Sequence, residues 1–182
     1  MTKFRTIFSL ICVFSLLAVC TAAVAEQPEE KAAGPQVRVG IFDSRALALA
    51  YGRSEPFMQY VKELKAEYAK AVAAGDEKRV KELDAEGPAQ QDLLHKQVFS
   101  TWPVDNVLEK IKEKIPEIAK QAGVDIIINK WDIVYQQPGI EFIDVTDLMV
   151  KPFSPDEATL KLIKDMQNVA PVPLEALATR EH

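Results

Sequence analysis

Cysteine is almost missing from this chain: its 182 residues hold two, Cys12 and Cys20, both near the N-terminus. Beyond them there is no thiol, disulfide or cysteine-based metal site, so packing or assembly must hold the fold. Histidine is as scarce, with only His95 and His182, and one internal imidazole makes a poor ligand set for a metal. The sequence contains no GxSxG, phosphate loop or HExxH motif, which leaves scattered carboxylates as the only acid-base groups and implies neither cofactor nor catalysis. Positive charge is also short, with 22 basic residues against 27 acidic ones. That balance argues against nucleic acid or an anionic membrane surface as the main partner, since both require cations to displace counterions.

What the N-terminus does have is an export pattern. Lys3 and Arg5 precede an apolar run over residues 7–20, and Ala23-Val24-Ala25 stands before Glu26. Residues 1–25 thus read as a Sec signal peptide cleaved near Ala25, which places the mature protein in the periplasm. Two alternatives are an uncleaved anchor, for which the run is short, and lipoprotein anchoring through Cys20, where Val19 occupies the position of a small residue. Cleavage removes Lys3 and Arg5 and leaves 20 basic residues against 27 acidic, a formal charge of −7. No later run is long enough for an integral membrane span. Residues 26–36, with Pro28, Gly34 and Pro35, read as a flexible lead-in,.

Residues 124–145 carry the densest set of β-branched and aromatic side chains, including Ile126, Ile127, Ile128, Trp131, Ile133, Val134 and Tyr135. Such a stretch suits strands, and the chain is read as organised around it. Residues 37–42 alternate Val37, Val39 and Ile41 with Arg38, Gly40 and Phe42, a half-buried strand that should pair with the late strands,. Residues 140–145 supply a third short strand after the Pro138-Gly139 turn,. The expected fold class is α+β: a small sheet, a projecting antiparallel helical hairpin over about 54–101, and an extra helix and tail over 151–182.

The hairpin has clear punctuation. Ser54 caps a helix with Pro56 in its first turn, and Gly75 then Asp76 end one limb and cap the next,. Phe57, Val61, Leu64, Tyr68 and Ala71 recur at steps of four and three, a coiled-coil-like seam,. On the return limb Val80, Leu83, Leu94 and Val98 keep similar spacing, with Gly87 and Gln90 between them; Pro88 is expected to kink or break the limb,. A second stripe, Val104, Leu108, Ile111, Ile115, Ile118 and Ala122, ends at Gly123 and carries Pro116, which predicts a bend,. Ser154-Pro155-Asp156-Glu157 reads as a capping box with Ser154 as the cap,.

Asp43, at the end of the first strand, reads as a helix cap in preference to a nucleophile, because Arg45 stands where a second acid would be needed,. His95 with Asp92 could form an acid-base pair, but reads as an exposed or hydrogen-bonded structural histidine,. Phe99 and Trp102 are candidates for an interface patch, with core burial as the alternative,.

The order of these elements, with Gly123-Val124-Asp125-Ile126-Ile127-Ile128-Asn129-Lys130, then Asp132-Ile133-Val134-Tyr135, then Ile143-Asp144-Val145-Thr146-Asp147, resembles the Skp/OmpH family of periplasmic chaperones. The likeness is best over 105–150, weaker over 37–70, and does not extend over 152–182. It implies a homotrimer whose sheets join in an association body built on Val37, Val39, Ile41, Ile126, Ile128 and Val134. It also implies arms that hold unfolded outer-membrane or envelope proteins without ATP, with Phe57, Val61, Leu64 and Tyr68 as contact residues; Phe99 and Trp102 are read from the residues themselves as further client or partner contacts. The chain departs from the family in its short arms, its acidity and its C-terminal extension. The competing reading is a non-catalytic envelope adaptor that grips one folded partner. A third, an enzyme, would require Asp43, Asp132 and Asp144 to converge with His95.

Overall fold

Four residues of the first alternating segment, Val39–Phe42, form strand β1, and the structure, a computed structural model, describes residues 37–178. The signal peptide and lead-in expected over residues 1–36 lie outside the described residues. β1 pairs in parallel on one side with β2 (Ile126–Asn129) and on the other with β3 (Ile143–Asp144), giving the order β2-β1-β3. The α+β class and the pairing of the first strand with the late ones are therefore as expected. Parallel neighbours require a long crossover, and the helical excursion between β1 and β2 supplies it.

The late strands are shorter than the sequence suggests. After β2 the chain enters a 3-10 turn, Lys130–Asp132, where the Asn129 side-chain oxygen accepts from the Trp131 amide at 3.4 Å. Ile133 is extended in backbone conformation, yet residues 133–135 form no strand, and Val134 is 99% exposed. β propensity gave these residues an extended shape but no neighbour with which to form a ladder.

Helix α1 (Ser44–Gly52) follows β1 at once, with Asp43 as its N-cap. Six of its nine residues are buried, among them Ala46, Leu47 and Ala48 at full burial. Short side chains let neighbours approach on all sides, and α1 packs against α3 (Glu77–Phe99), α6 (Thr146–Val150) and α7 (Glu157–Gln167). A helix buried on most of its faces, with its one charged side chain paired, belongs at the centre of a core,. The organising element is therefore α1 rather than the stretch 124–145, and Phe42, Val107, Ile111, Met149 and Ile163 close the core about it.

The hairpin consists of α2 (Glu55–Ala74) and α3. Ser54 caps α2, and Gly75 at φ 67° ends it in the left-handed region, where a Cβ is costly,. Asp76 caps α3 by accepting from the Arg79 amide at 3.0 Å. At about 1.5 Å per residue each limb is roughly 30 Å long. Of the kink or break expected at Pro88, the break does not occur, and the return limb runs on to Phe99. One lost amide hydrogen bond is tolerated in a helix that packs on both α2 and α1,.

Beyond the arm, the second stripe divides as its proline predicts: α4 (Asp105–Ile111), a 3-10 turn Lys112–Lys114, and α5 (Ile115–Ala122) with Pro116 in its first turn. Asp156, not Ser154, caps α7, accepting from the Thr159 amide at 2.8 Å, while Ser154 adopts a left-handed conformation at φ 51°. Both residues offer a capping oxygen, and the one adjoining the helical residues serves. The C-terminal extension is no loose tail. Ile163 is fully buried, Arg53 donates through Nε to Thr159 at 2.8 Å, and the Val172 amide donates to the Phe99 carbonyl at 2.8 Å before a short α8 (Leu174–Ala178).

Candidate functional site

The strand register positions the most concentrated polar cluster in the described chain. Phe42 stands opposite Asn129, so the residues that follow them, Asp43 and Lys130, emerge side by side at the carboxyl ends of β1 and β2. Asp43 is fully buried. It accepts from the Arg45 amide at 3.0 Å, from Arg45 Nε at 3.2 Å, from Arg45 Nη2 at 3.0 Å and from the Trp131 indole at 2.9 Å, while Lys130 Nζ lies at 2.8 Å. Both cations also lie over the Trp131 ring, at 4.7 Å for Arg45 and 4.6 Å for Lys130. Arg45 donates further to the Met166 carbonyl at 3.1 Å, and the Asp43 amide donates to Thr146 at 3.0 Å.

Burial raises the pKa of the Asp43 carboxyl, but the hydrogen bonds from Arg45, Lys130 and Trp131 outweigh it and hold the group below its ordinary range,. A carboxylate offers about four acceptor positions, and five donors occupy Asp43. The cluster joins β1, β2, α1, α6 and α7 at one point.

Higher up, the two limbs of the arm meet incompletely. Ala71 and Leu83 are buried where the limbs touch, but nearer the body the seam opens into a groove of about 440 Å³ lined by Phe57, Val61, Leu64 and Tyr68 from α2 and by Leu83 and Leu94 from α3. Gly87 helps to open it, since a Cβ there would only just reach Leu64, at 3.9 Å. The two limbs are tied across by Tyr60, whose hydroxyl donates to Glu86 at 2.7 Å. Burial, and then this bond to a carboxylate, push the Tyr60 pKa up to about 12.

At the foot of the arm lies a second and larger hollow of about 750 Å³, walled by Tyr51, Leu93 and Phe153 and edged by Lys110 and Lys114. The aromatic chain Phe153–Tyr51–Phe57, at centroid distances of 5.6 and 5.1 Å, runs from the body into the arm.

The residues expected to serve association and contact fall into three places. Val39, Ile41, Ile126 and Ile128 share one face of the sheet and none is buried, with Ile126 48% exposed; the opposite face, through Phe42 and Ile127, packs on the core. Val37 precedes β1 and is exposed, and Val134 lies in the connection to β3 rather than in a strand. Phe57, Val61, Leu64 and Tyr68 line the arm groove together. Phe99 and Trp102 do not join them. Phe99 borders a separate apolar hollow of about 380 Å³ with Leu162, Val169 and Val172, and Trp102 lies under Lys96.

His95 meets Phe99 edge-on at 5.8 Å, whereas Asp144 caps the Thr146 amide at 2.8 Å and Asp132 is exposed. Among the described residues no group of three or more histidine, cysteine or acidic side chains is placed to hold a metal ion, and no helix is long and apolar enough to cross a membrane.

Sequence reading passed over Arg45, Lys130 and Trp131 as partners of Asp43, and over Tyr60, Lys110 and Lys114. The signal for the first three was present in part: Lys130-Trp131 follows β2 as Asp43 follows β1, and only the pairing register was needed to bring them together. No family model matches this chain, and neither a curated protein nor a solved structure gives a significant match.

Proposed function

We propose that this protein is an ATP-independent holdase-type chaperone of the periplasm, of the Skp/OmpH kind, which binds unfolded envelope or outer-membrane proteins through apolar surface on its helical arm. The observation that carries this reading is the open seam of the hairpin. Phe57, Val61, Leu64 and Tyr68 stand at core-like spacing, yet between Leu83 and Leu94 the opposite limb offers Gly87, Pro88, Gln90 and Gln91 along the groove. A hairpin that served only as a strut would close such a seam. Apolar contacts are non-directional and suit clients of many sequences.

The half-covered sheet supports the homotrimer that the reading includes. Parallel sheets are ordinarily covered on both faces, and the face carrying Val39, Ile41, Ile126 and Ile128 would be covered by neighbouring copies. The test is dilution of a urea-denatured outer-membrane protein into buffer with and without the mature chain, in the absence of nucleotide, with light scattering as the readout. Suppression of aggregation at near-stoichiometric ratios, weakened by Leu64→Glu, is the expected result; no suppression at a large excess rejects the reading. A trimer mass by light scattering is expected for the mature chain, and a monomer at high concentration would remove the association body from it.

A second reading, a non-catalytic adaptor for one folded partner, is favoured by Phe99, half exposed beside an apolar hollow away from the arm groove. It predicts that Phe99→Ala with Trp102→Ala abolishes capture of a single envelope protein while leaving aggregation suppression intact.

A further inference from the structure

The groove of the arm and the hollow at its foot adjoin, because Tyr60 and Gln90 stand in the walls of both. Their chemistry differs from end to end. The arm end is mainly apolar, with Phe57, Leu64 and Leu83, and has one cation on its wall, Lys65. The foot end keeps an aromatic wall in Tyr51 and Phe153 but is edged by three charged residues from α4 and the turn after it, Glu109, Lys110 and Lys114. Glu109 is already engaged in an ion pair with Lys112. Lys110 and Lys114 are exposed and have no hydrogen-bond or ion-pair partner among the described residues. Two cations thus stand at the foot of the trough against one on the wall of the arm groove.

Resting on the holdase reading, we propose that this trough is a polar-ended binding site for an extended polypeptide: apolar or aromatic side chains occupy the arm groove, and one or more carboxylates a few residues along the segment face Lys110 and Lys114. An extended chain is favoured over a compact apolar ligand by the side-chain amides of Gln90 and Gln91, which line the groove and make no hydrogen bond among the described residues. They are placed to bond the amide groups of a segment laid along the trough, which carries its own donors and acceptors at every residue. Charge then sets direction. A segment with its acidic end at the foot gains from both lysines, whereas the reverse placement meets only Lys65 on the arm groove.

Two fluorescein-labelled peptides test this, sharing one apolar and aromatic core and differing only in whether two glutamates or two lysines follow it. Binding to the full mature chain is read by anisotropy at low and at high salt. Exposed charge pairs are weak individually, so the expected preference for the glutamate peptide is roughly three- to tenfold at low salt, shrinking as salt screens it. In Lys110→Glu with Lys114→Glu the preference should vanish or reverse, while Lys161→Glu with Lys164→Glu, two exposed changes on α7 of the same total charge, should leave it unchanged and so exclude net charge as the cause. Equal binding of the two peptides, unaltered by the double variant, overturns the charged end but leaves the holdase reading standing. Failure of both peptides to bind overturns the two together.

Discussion

The core around α1 and the hairpin are built from the same kinds of residue and reach opposite results. In α1 six of nine residues are buried; in α2 only Ala71 of twenty is. The difference lies in the number of neighbours. α1 is enclosed by helices on several sides, whereas the limbs of the arm pack mainly on each other, with α3 also reaching α1, and leave most of their surface to solvent. Apolar residues therefore stabilise the body by being removed from water, and in the arm a share of them stays available. Mutations should separate the two regions.

The largest effect is expected at the polar junction. Asp43→Ala leaves Arg45 buried without its anion, which should lower the unfolding free energy by about 3–5 kcal/mol, measured by urea denaturation. A loss near that of a surface change would mean that water replaces the carboxylate and that the cluster does not hold the body. The same carboxyl links stability to pH. Its folded pKa lies below the ordinary value, so its contribution is complete above the unfolded pKa and is lost as pH falls through the folded one,. The loss of stability should therefore set in as pH falls to the ordinary carboxylate value and level off only below the folded one, and that slope should flatten in Asp43→Asn.

Next is a matched pair of truncations. Leu47→Ala, at a fully buried site, should cost about 2–5 kcal/mol. Leu64→Ala, half-buried in the open groove, should cost about 1 kcal/mol, because less of its side chain leaves water on folding. Equal losses would erase the distinction between closed body and open arm. The smallest effect is expected from Tyr60→Phe, about 1 kcal/mol or less, seen as faster amide exchange near Glu86 with little change in the body. Here the folded pKa is raised, so the bond to Glu86 is complete below pH 10 and is lost as pH rises through about 12. Alkali should loosen the root of the arm in the native chain and have less effect in the variant.

The arm was legible in the sequence because its signals are local. Ser54, Gly75 and Asp76 each act within one turn of where they stand, and the spacing of Phe57, Val61, Leu64 and Tyr68 survives whatever the rest of the chain does. At Pro88 the sequence left a kink or a break open, because the cost of one missing hydrogen bond says nothing of the helices that offset it. The body was less legible. α1 is short and rich in alanine, and its central place depends on elements up to about a hundred residues away. The Asp43 cluster depends on register, and a shift of one residue would have sent Lys130 to the other face of the sheet. The hollow at the foot of the arm was invisible for the same reason, since Tyr51, Lys110 and Phe153 meet only after three separate segments have packed.

The parallel pairing of β1 with β2 also dictates the order in which the chain can assemble. Arg38 and Asp125, which bond where those strands begin, are 87 residues apart. Closing so long a loop is slow when the intervening chain is random, but here the hairpin can form first from neighbouring contacts and fold most of that length back on itself. Refolding should then show two stages, with amides of α2 and α3 protected before those of β1 in a pulse-labelling experiment. Simultaneous protection would mean that strand pairing, not the hairpin, draws the ends together. Until β2 arrives, β1 remains an apolar strand with both edges open, and the interval in which it must wait is set by the length of the arm.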